Sequence, residues 1–251
     1  MSPLEALGIF AAGGAAGAIN VVVGSGTLIT FPILLAFGYA PVVANVSNTI
    51  GLVPGSVAGV IGYRRELSDQ HRRVGRLACA TAAGAATGAV LLLTLPAAAF
   101  KSIVPAFIVL ALLLIVAQPR LGALLRRRRG DVHGHEHLGA LTLLGVYATG
   151  VYGGYFGAAQ GIMLLAILGL AIDDTLQRIN ATKNVLAGLA NLLSGLIFAA
   201  VADVSWAVVA LIAAGSVSGG VLGARYGRRL PPAPLRALIV AVGIVAIVRL
   251  V

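Results

Sequence analysis

Charge is what this chain has least of: 10% of its 251 residues are charged, and only eight of those are acidic. A soluble core of this size would carry many more, and the 59% hydrophobic residues and mean hydropathy of +0.99 place the chain among integral membrane proteins. A single cysteine, Cys79, excludes an intrachain disulfide and a CxxC site. Alternation of polar and apolar residues at period two is missing as well, which excludes a membrane β-barrel and leaves a helical one. No positive residue precedes the first apolar run in Met1-Ser2-Pro3-Leu4-Glu5, so that run reads as a retained first helix and not as a cleaved leader.

Apolar stretches of spanning or near-spanning length fill the chain instead. They run roughly over Leu4 to Val23, Val42 to Gly62, Leu77 to Leu95, Ile103 to Ala117, Leu138 to Phe156, Ile179 to Val201, Trp206 to Ala224 and Leu235 to Val251. Two shorter pieces, Leu28 to Phe37 and Ile162 to Ala171, are too short to span a normal bilayer alone and are expected to end near its middle.

The net charge of +10 does not read as a nucleic-acid surface. All of the 18 Lys and Arg except Lys101, Arg178, Lys183 and Arg249 fall in three clusters, Arg64 to Arg76, Arg120 to Arg129 and Arg225 to Arg236. The positive-inside rule puts all three in the cytoplasm. Counting crossings between them then places Met1 and the C-terminus in the periplasm.

The halves resemble one another. Ala82-Ala83-Gly84-Ala85-Ala86-Thr87-Gly88 matches Ala213-Ala214-Gly215-Ser216-Val217-Ser218-Gly219, and at a similar offset Gly17 falls on Gly150, Gly24 on Gly157, Asn48 on Asn184 and Gly59 on Gly195. With the crossing count, this predicts an all-α membrane protein of two inverted repeats with about five membrane elements each, including broken or re-entrant helices. The expected organisation is an N-terminal repeat over 1–118, a basic cytoplasmic linker over 119–137 and a C-terminal repeat over 138–251.

Each half breaks an apolar stretch with glycines and follows it with a polar cluster. The first half supplies Asn20, Gly24-Ser25-Gly26-Thr27 and Asn45-Val46-Ser47-Asn48-Thr49; the second supplies Tyr152-Gly153-Gly154, Gly157-Ala158-Ala159-Gln160-Gly161 and Asn180-Ala181-Thr182-Lys183-Asn184. Irregular backbone and polar side chains at membrane depth are tolerated only where protein buries them or they line a wet cavity. Interrupted helices also leave backbone N–H groups and a positive dipole end, which suit an anion.

Lys183 adds a charge that costs on the order of 2.5 to 3.5 kcal/mol at the centre of a bilayer on insertion scales, against the bland alternative of a lysine one turn in that snorkels to the interface. Arg178, beside Asp173 and Asp174, reads as an interfacial anchor. All acidic residues sit at segment ends or in loops, so the site is expected to be electropositive. A coupling ion, H+ or Na+, is compatible with it, sodium through carbonyls and hydroxyls.

Three other signals carry less. Asp131, His133, His135, Glu136 and His137 read as a polar linker ahead of a metal site; Gly24-Ser25-Gly26 has no buried histidine to serve as base; Arg126 to Arg129 could meet anionic lipid but suffices as a topology signal. No cofactor and no catalytic residue is expected.

The order of Gly17-x-x-Asn20, Gly24-x-Gly26-Thr27, Phe31-Pro32, Asn45-x-x-Asn48, Pro54-Gly55 and Tyr63-Arg64 resembles the first half of sulfite exporter TauE/SafE family permeases. Tyr152-Gly153-Gly154-x-Phe156-Gly157, Asn180-Ala181-Thr182-Lys183-Asn184 and Gly219-Gly220-x-x-Gly223-Ala224-Arg225 resemble the second. Where the family often has a denser glycine run, this chain has Ala158-Ala159-Gln160. The resemblance implies a bacterial inner-membrane permease for sulfite, an organosulfonate or a related small anion; with the inverted repeats, the reading is a secondary transporter working by alternating access, with oligomers compatible. The substrate-binding candidates, taken from the breaks and the polar clusters beside them, are Asn20, Gly24, Ser25, Gly26, Thr27, Asn45, Ser47, Asn48, Tyr152, Gly157, Gln160, Gly161, Asn180, Thr182, Lys183 and Asn184. The rivals are an anion channel and a non-transporting membrane scaffold.

Overall fold

A computed structural model describes residues 1–128 and 138–227, together with 237, 239–242 and 244. The polar linker from Asp131 to His137, Arg129, the last basic residues Arg228, Arg229 and Arg236, and most of the final apolar stretch lie outside the described residues.

Regular structure among the described residues is all helical: α1 (Pro3–Val22), α2 (Thr27–Ala36), α3 (Pro41–Gly51), α4 (Val53–Gly62), α5 (His71–Thr94), α6 (Ala97–Arg128), α7 (Ala140–Tyr155), α8 (Gln160–Ala171), α9 (Leu176–Val201) and α10 (Trp206–Tyr226). Five are long and apolar enough to cross a bilayer, α1, α5, α9, α10 and the stretch Ala98–Arg120 of α6. The short pieces form α2 and α8, of 10 and 12 residues.

Local chemistry explains the ends. Ser2 and Glu5 close a capping box at the start of α1, and the Thr175 hydroxyl accepts from the Arg178 amide at the start of α9. The apolar stretch from Val42 to Gly62 is two helices that meet at Leu52, because Pro54 has no N–H to donate one turn back. Several boundaries differ from the sequence expectation: α6 runs from Ala97 to Arg128, past Ile103 to Ala117 and into the expected linker, and two other helices start early. His71 opens α5, so Arg72, Arg73 and Arg76 are helical, and α9 starts at Leu176, which sets Lys183 about two turns deep.

Small residues set the packing. A methyl group added at Gly17 would stand 2.4 Å from the Ser216 carbonyl oxygen, and one at Gly88 would stand 2.1 Å from that of Val151. Gly13 faces Ile212, Gly17 faces Ser216 and Gly223 faces Ala18, so α1 and α10 run in the same direction. Gly84 against Tyr147 and Gly88 against Tyr155 make α5 and α7 parallel in the same way. Gly51 against Ile212, Gly55 against Ser216 and Gly62 against Ala224 align α3 and α4 with α10. Helix α9 opposes α3 and α4, since Gly195 meets Ile50 while Gly188 meets Ser56. The ends of α1, α4 and α10 and the start of α9 therefore share one end of the molecule, where Val22, Tyr63, Leu176, Gln177, Asn180 and Gly227 line a cavity of about 150 Å³. Large apolar side chains such as Leu113, Leu196 and Leu222 are exposed outward, as lipid contact requires.

Candidate functional site

The two glycine breaks have the same backbone design. Val23 and Gly24 both donate to the Ile19 carbonyl at 2.7 and 3.0 Å, and Phe156 and Gly157 both donate to that of Tyr152 at 2.9 and 3.0 Å. Gly24 and Gly157 take positive φ, +87° and +76°, which turns the chain out of α1 and α7. Past the turn Ile29 donates to Gly26, and Ile162 to Ala159, opening α2 and α8.

The breaks touch. The Gly161 amide donates to the Gly24 carbonyl at 3.0 Å, and a methyl group at Gly24 would stand 2.4 Å from the Gly161 Cα. Backbone N–H groups at the start of α8 are largely satisfied by protein: Gln160 donates to Gly157, Gly161 to Gly24, and Ile162 and Met163 to Ala159. These amides, which the sequence offered to an anion, hold the second break together instead.

Polar side chains from each half cap the interrupted helix of the other. Asn45, on α3, donates from Nδ2 to the Tyr155 carbonyl at the end of α7, 2.9 Å away. Lys183, on α9, donates from Nζ to the Asn20 and Val21 carbonyls at the end of α1, at 3.1 and 3.2 Å. Asn180 joins it, donating to Val21 at 3.3 Å. Lys183 is 0% exposed, so it does not snorkel to the interface. A cation is at home there because the last carbonyls of a helix lack partners and carry the negative end of its dipole.

Asn48 binds α2 of its own half, donating to the Thr27 hydroxyl at 3.3 Å and accepting from Thr30. The Tyr152 hydroxyl donates to the Ala158 carbonyl and pins the second break. Gly26 abuts the Ala16 carbonyl, where a methyl group would stand 2.5 Å from the oxygen. Phe31, Phe100, Phe107, Tyr155 and Phe156 pack against one another, mostly edge-on or tilted, with Phe107 stacked on Phe156 and the Phe31–Phe156 centroids 5.1 Å apart.

Several buried polar atoms are left without a hydrogen-bond partner: Ser25 Oγ, Gln160 Nε2 and Asn184 Nδ2, with Asn45 Oδ1 and Asn180 Oδ1. Ser25, Gln160 and Asn184 are 1%, 3% and 6% exposed. An unpaired polar group in a nonaqueous interior is costly, so such atoms mark where water or a ligand binds.

Two candidates stand apart from the breaks. The Ser47 hydroxyl accepts from the Ser205 amide in the α9–α10 loop at 3.0 Å, and the Thr182 hydroxyl donates to Gln70 Oε1 at 2.9 Å, at the opposite end. Gln70 belongs to a cluster the sequence did not single out. Arg73 donates to Gln70 and, at 2.7 Å, to Asp174; Arg178 bonds Asp174 as well and donates to the Ser68 carbonyl at 3.2 Å. Arg178 is thus tied to the first half and is more than an interfacial anchor. Arg73 was indistinguishable in the sequence from its basic neighbours. The adjacent carboxylates Asp173 and Asp174 were the available signal. Burial raises the Asp174 pKa, but hydrogen bonds from Arg73, Arg178 and the Thr175 amide outweigh it and hold this carboxyl below its ordinary value.

Helices interrupted at glycine turns, with polar side chains of each half buried against the break of the other, suit a membrane transporter. Comparison with known proteins agrees. The family model of the sulfite exporter TauE/SafE matches residues 9–250, and the chain belongs to that family. It is 30% identical over 222 residues to a probable membrane transporter protein of Haemophilus influenzae, covering 86% of this chain and 83% of the relative. It is 29% identical over 245 residues to the probable membrane transporter protein ORF9 of Sinorhizobium, covering 96% and 90%. A third relative, the probable membrane transporter protein YfcA of Escherichia coli, is 29% identical over 234 residues, covering 92% and 82%. No solved structure matches. The chain is a multi-pass membrane transporter of this family and not an enzyme.

Proposed function

We propose that the protein is a secondary transporter of a small oxidised-sulfur anion, sulfite, an organosulfonate or a relative, which binds where the two glycine breaks meet. One observation carries the reading. The Ser25 hydroxyl and the amide nitrogens Gln160 Nε2 and Asn184 Nδ2 are buried without a partner among the described residues, and the described acidic residues, Glu5, Glu66, Asp69, Asp173, Asp174 and Asp203, all lie in loops or at a helix start. Hydrogen-bond donors without acceptors suit the acceptor-only oxygens of an oxyanion.

The halves are read as inverted repeats over 1–118 and 138–251, joined by the linker 119–137. Supporting this, the turns after Ile19 and Tyr152 share one hydrogen-bond pattern, α1 pairs with α10 as α7 pairs with α5, and α9 opposes α3 and α4. Relative movement of the repeats would expose the ligand to each side in turn. In this reading the end carrying Arg73, Arg178 and Arg225 is cytoplasmic, the α9–α10 loop periplasmic, and the membrane the bacterial inner one.

Purified protein in proteoliposomes should move labelled sulfite with saturable kinetics, and sulfite, thiosulfate, sulfonates or sulfate should raise its melting temperature. Gln160→Ala and Asn184→Ala should each weaken apparent affinity by about ten- to hundredfold, the loss of one hydrogen bond to a charged ligand at about 1.5–3 kcal/mol. Flux linear in concentration would mean a channel. Neither flux nor stabilisation with any of these anions would leave the polar clusters to helix packing alone.

A further inference from the structure

We propose that Lys183 is a tethered cation filling the seat that a free coupling ion would otherwise take, which makes transport by this protein independent of Na+. Carriers with broken helices coordinate Na+ through unwound backbone carbonyls and half-helix C-terminal ends. The corresponding oxygens here are the Asn20 and Val21 carbonyls at the end of α1, and the Lys183 ammonium binds both, at 3.1 and 3.2 Å. Its hydrogen bonds go to these carbonyls and, among the described residues, to no carboxylate. The stem passes close to the second break: a methyl group at Gly161 would stand 3.0 Å from the Lys183 Cδ. Asn180, hydrogen-bonded to the same Val21 carbonyl, has an unpartnered buried Oδ1, so the surroundings hold more oxygen than the ammonium uses.

The corresponding helix end in the other half shows that capping alone needs no charge. At the end of α7 the neutral amide of Asn45 suffices for the Tyr155 carbonyl. A fixed ammonium at one end only is therefore a charge placed there at a desolvation cost, which an uncharged donor would avoid. While it sits there, it excludes a second cation both sterically and by Coulomb repulsion in a low-dielectric interior.

The inference rests on the transporter reading for its consequence but not for its first test. Thermal unfolding of the ligand-free protein is measured in NaCl, KCl and N-methylglucamine chloride at equal ionic strength. The wild type should melt at the same temperature in all three. Lys183→Ala, which empties the seat, and Lys183→Ser, which adds an oxygen to it, should show a saturable rise with Na+ that N-methylglucamine does not give. A wild-type melting temperature that climbs with Na+ overturns the proposal, whether or not the variants fold. So does a folded Lys183→Ala or Lys183→Ser protein that Na+ stabilises no more than N-methylglucamine. In proteoliposomes, wild-type sulfite flux should be unchanged when N-methylglucamine replaces Na+, and dependence on Na+ overturns the proposal too. Absence of any sulfite flux would count against the substrate reading and leave the melting result standing.

Discussion

At the scale of single residues, glycine sets where the two halves can meet. Gly24 and Gly38 share a φ of +87°, but a methyl group at Gly38 would meet nothing within 4 Å, while at Gly24 it would stand 2.4 Å from the Gly161 Cα. The pair separates backbone strain from steric exclusion. Gly38→Ala should cost about 1–2 kcal/mol from the left-handed backbone, and Gly24→Ala about 1–3 kcal/mol more from overpacking. Melting temperatures of the two variants in detergent test the ordering, and equal losses would mean the contact at Gly161 yields freely. Sequence had marked Gly24, Gly157 and Lys183, because a glycine turn or a charge inside an apolar run is anomalous on its face. It could not show that the Lys183 ammonium binds the carbonyls of Asn20 and Val21, since that contact joins positions far apart in the chain. Thr30, which donates to Asn48, was equally invisible: a lone threonine in an apolar helix carries no signal until its partner is known.

Between elements, the cluster of Arg73, Asp174, Arg178 and Gln70 ties the start of α5 to the α8–α9 loop and the start of α9. The Arg73 and Asp174 side chains are only 8% and 14% exposed, so their pairing is screened far less than a surface ion pair. Asp174→Asn should destabilise by about 1–3 kcal/mol, less than the 3–5 kcal/mol typical of a fully buried pair because water still reaches the carboxylate. The sign of the pH effect follows from its depressed pKa. Asp174 contributes stability that is complete above its unfolded value and is lost as pH falls through the lower folded value. Melting temperatures between neutral pH and the acid range should therefore fall less steeply for Asp174→Asn than for the wild type. Parallel curves would show that the carboxylate contributes nothing to the joint. Basic clusters in a membrane protein read as topology signals, and for Arg73 that reading hid a specific partner.

Across the whole molecule, the class was legible because hydropathy and charge distribution depend on no contact: an all-helical membrane protein with two short elements beside long ones. What the sequence blurred was continuity. The stretch from Val42 to Gly62 reads as one span and is α3 and α4, since Pro54, in the first turn of α4, leaves no mark on the hydropathy of the run. The two ends of the molecule also differ in how the halves are joined. One has the Arg73–Asp174–Arg178 cluster; at the other the Ser47 hydroxyl accepts from the Ser205 amide at 3.0 Å. If the halves separate at that second end during each cycle, a covalent bond there must stop the cycle. Ser47→Cys with Ser205→Cys, in a Cys79→Ser background, places two thiols where the Ser47 side chain already reaches the Ser205 amide. Oxidation should abolish sulfite flux and reduction should restore it, while each single cysteine variant transports under both conditions. Undiminished flux through fully cross-linked protein would mean that the α3 and α9–α10 loop contact stays closed throughout, and the moving boundary would have to be sought elsewhere in the helix bundle.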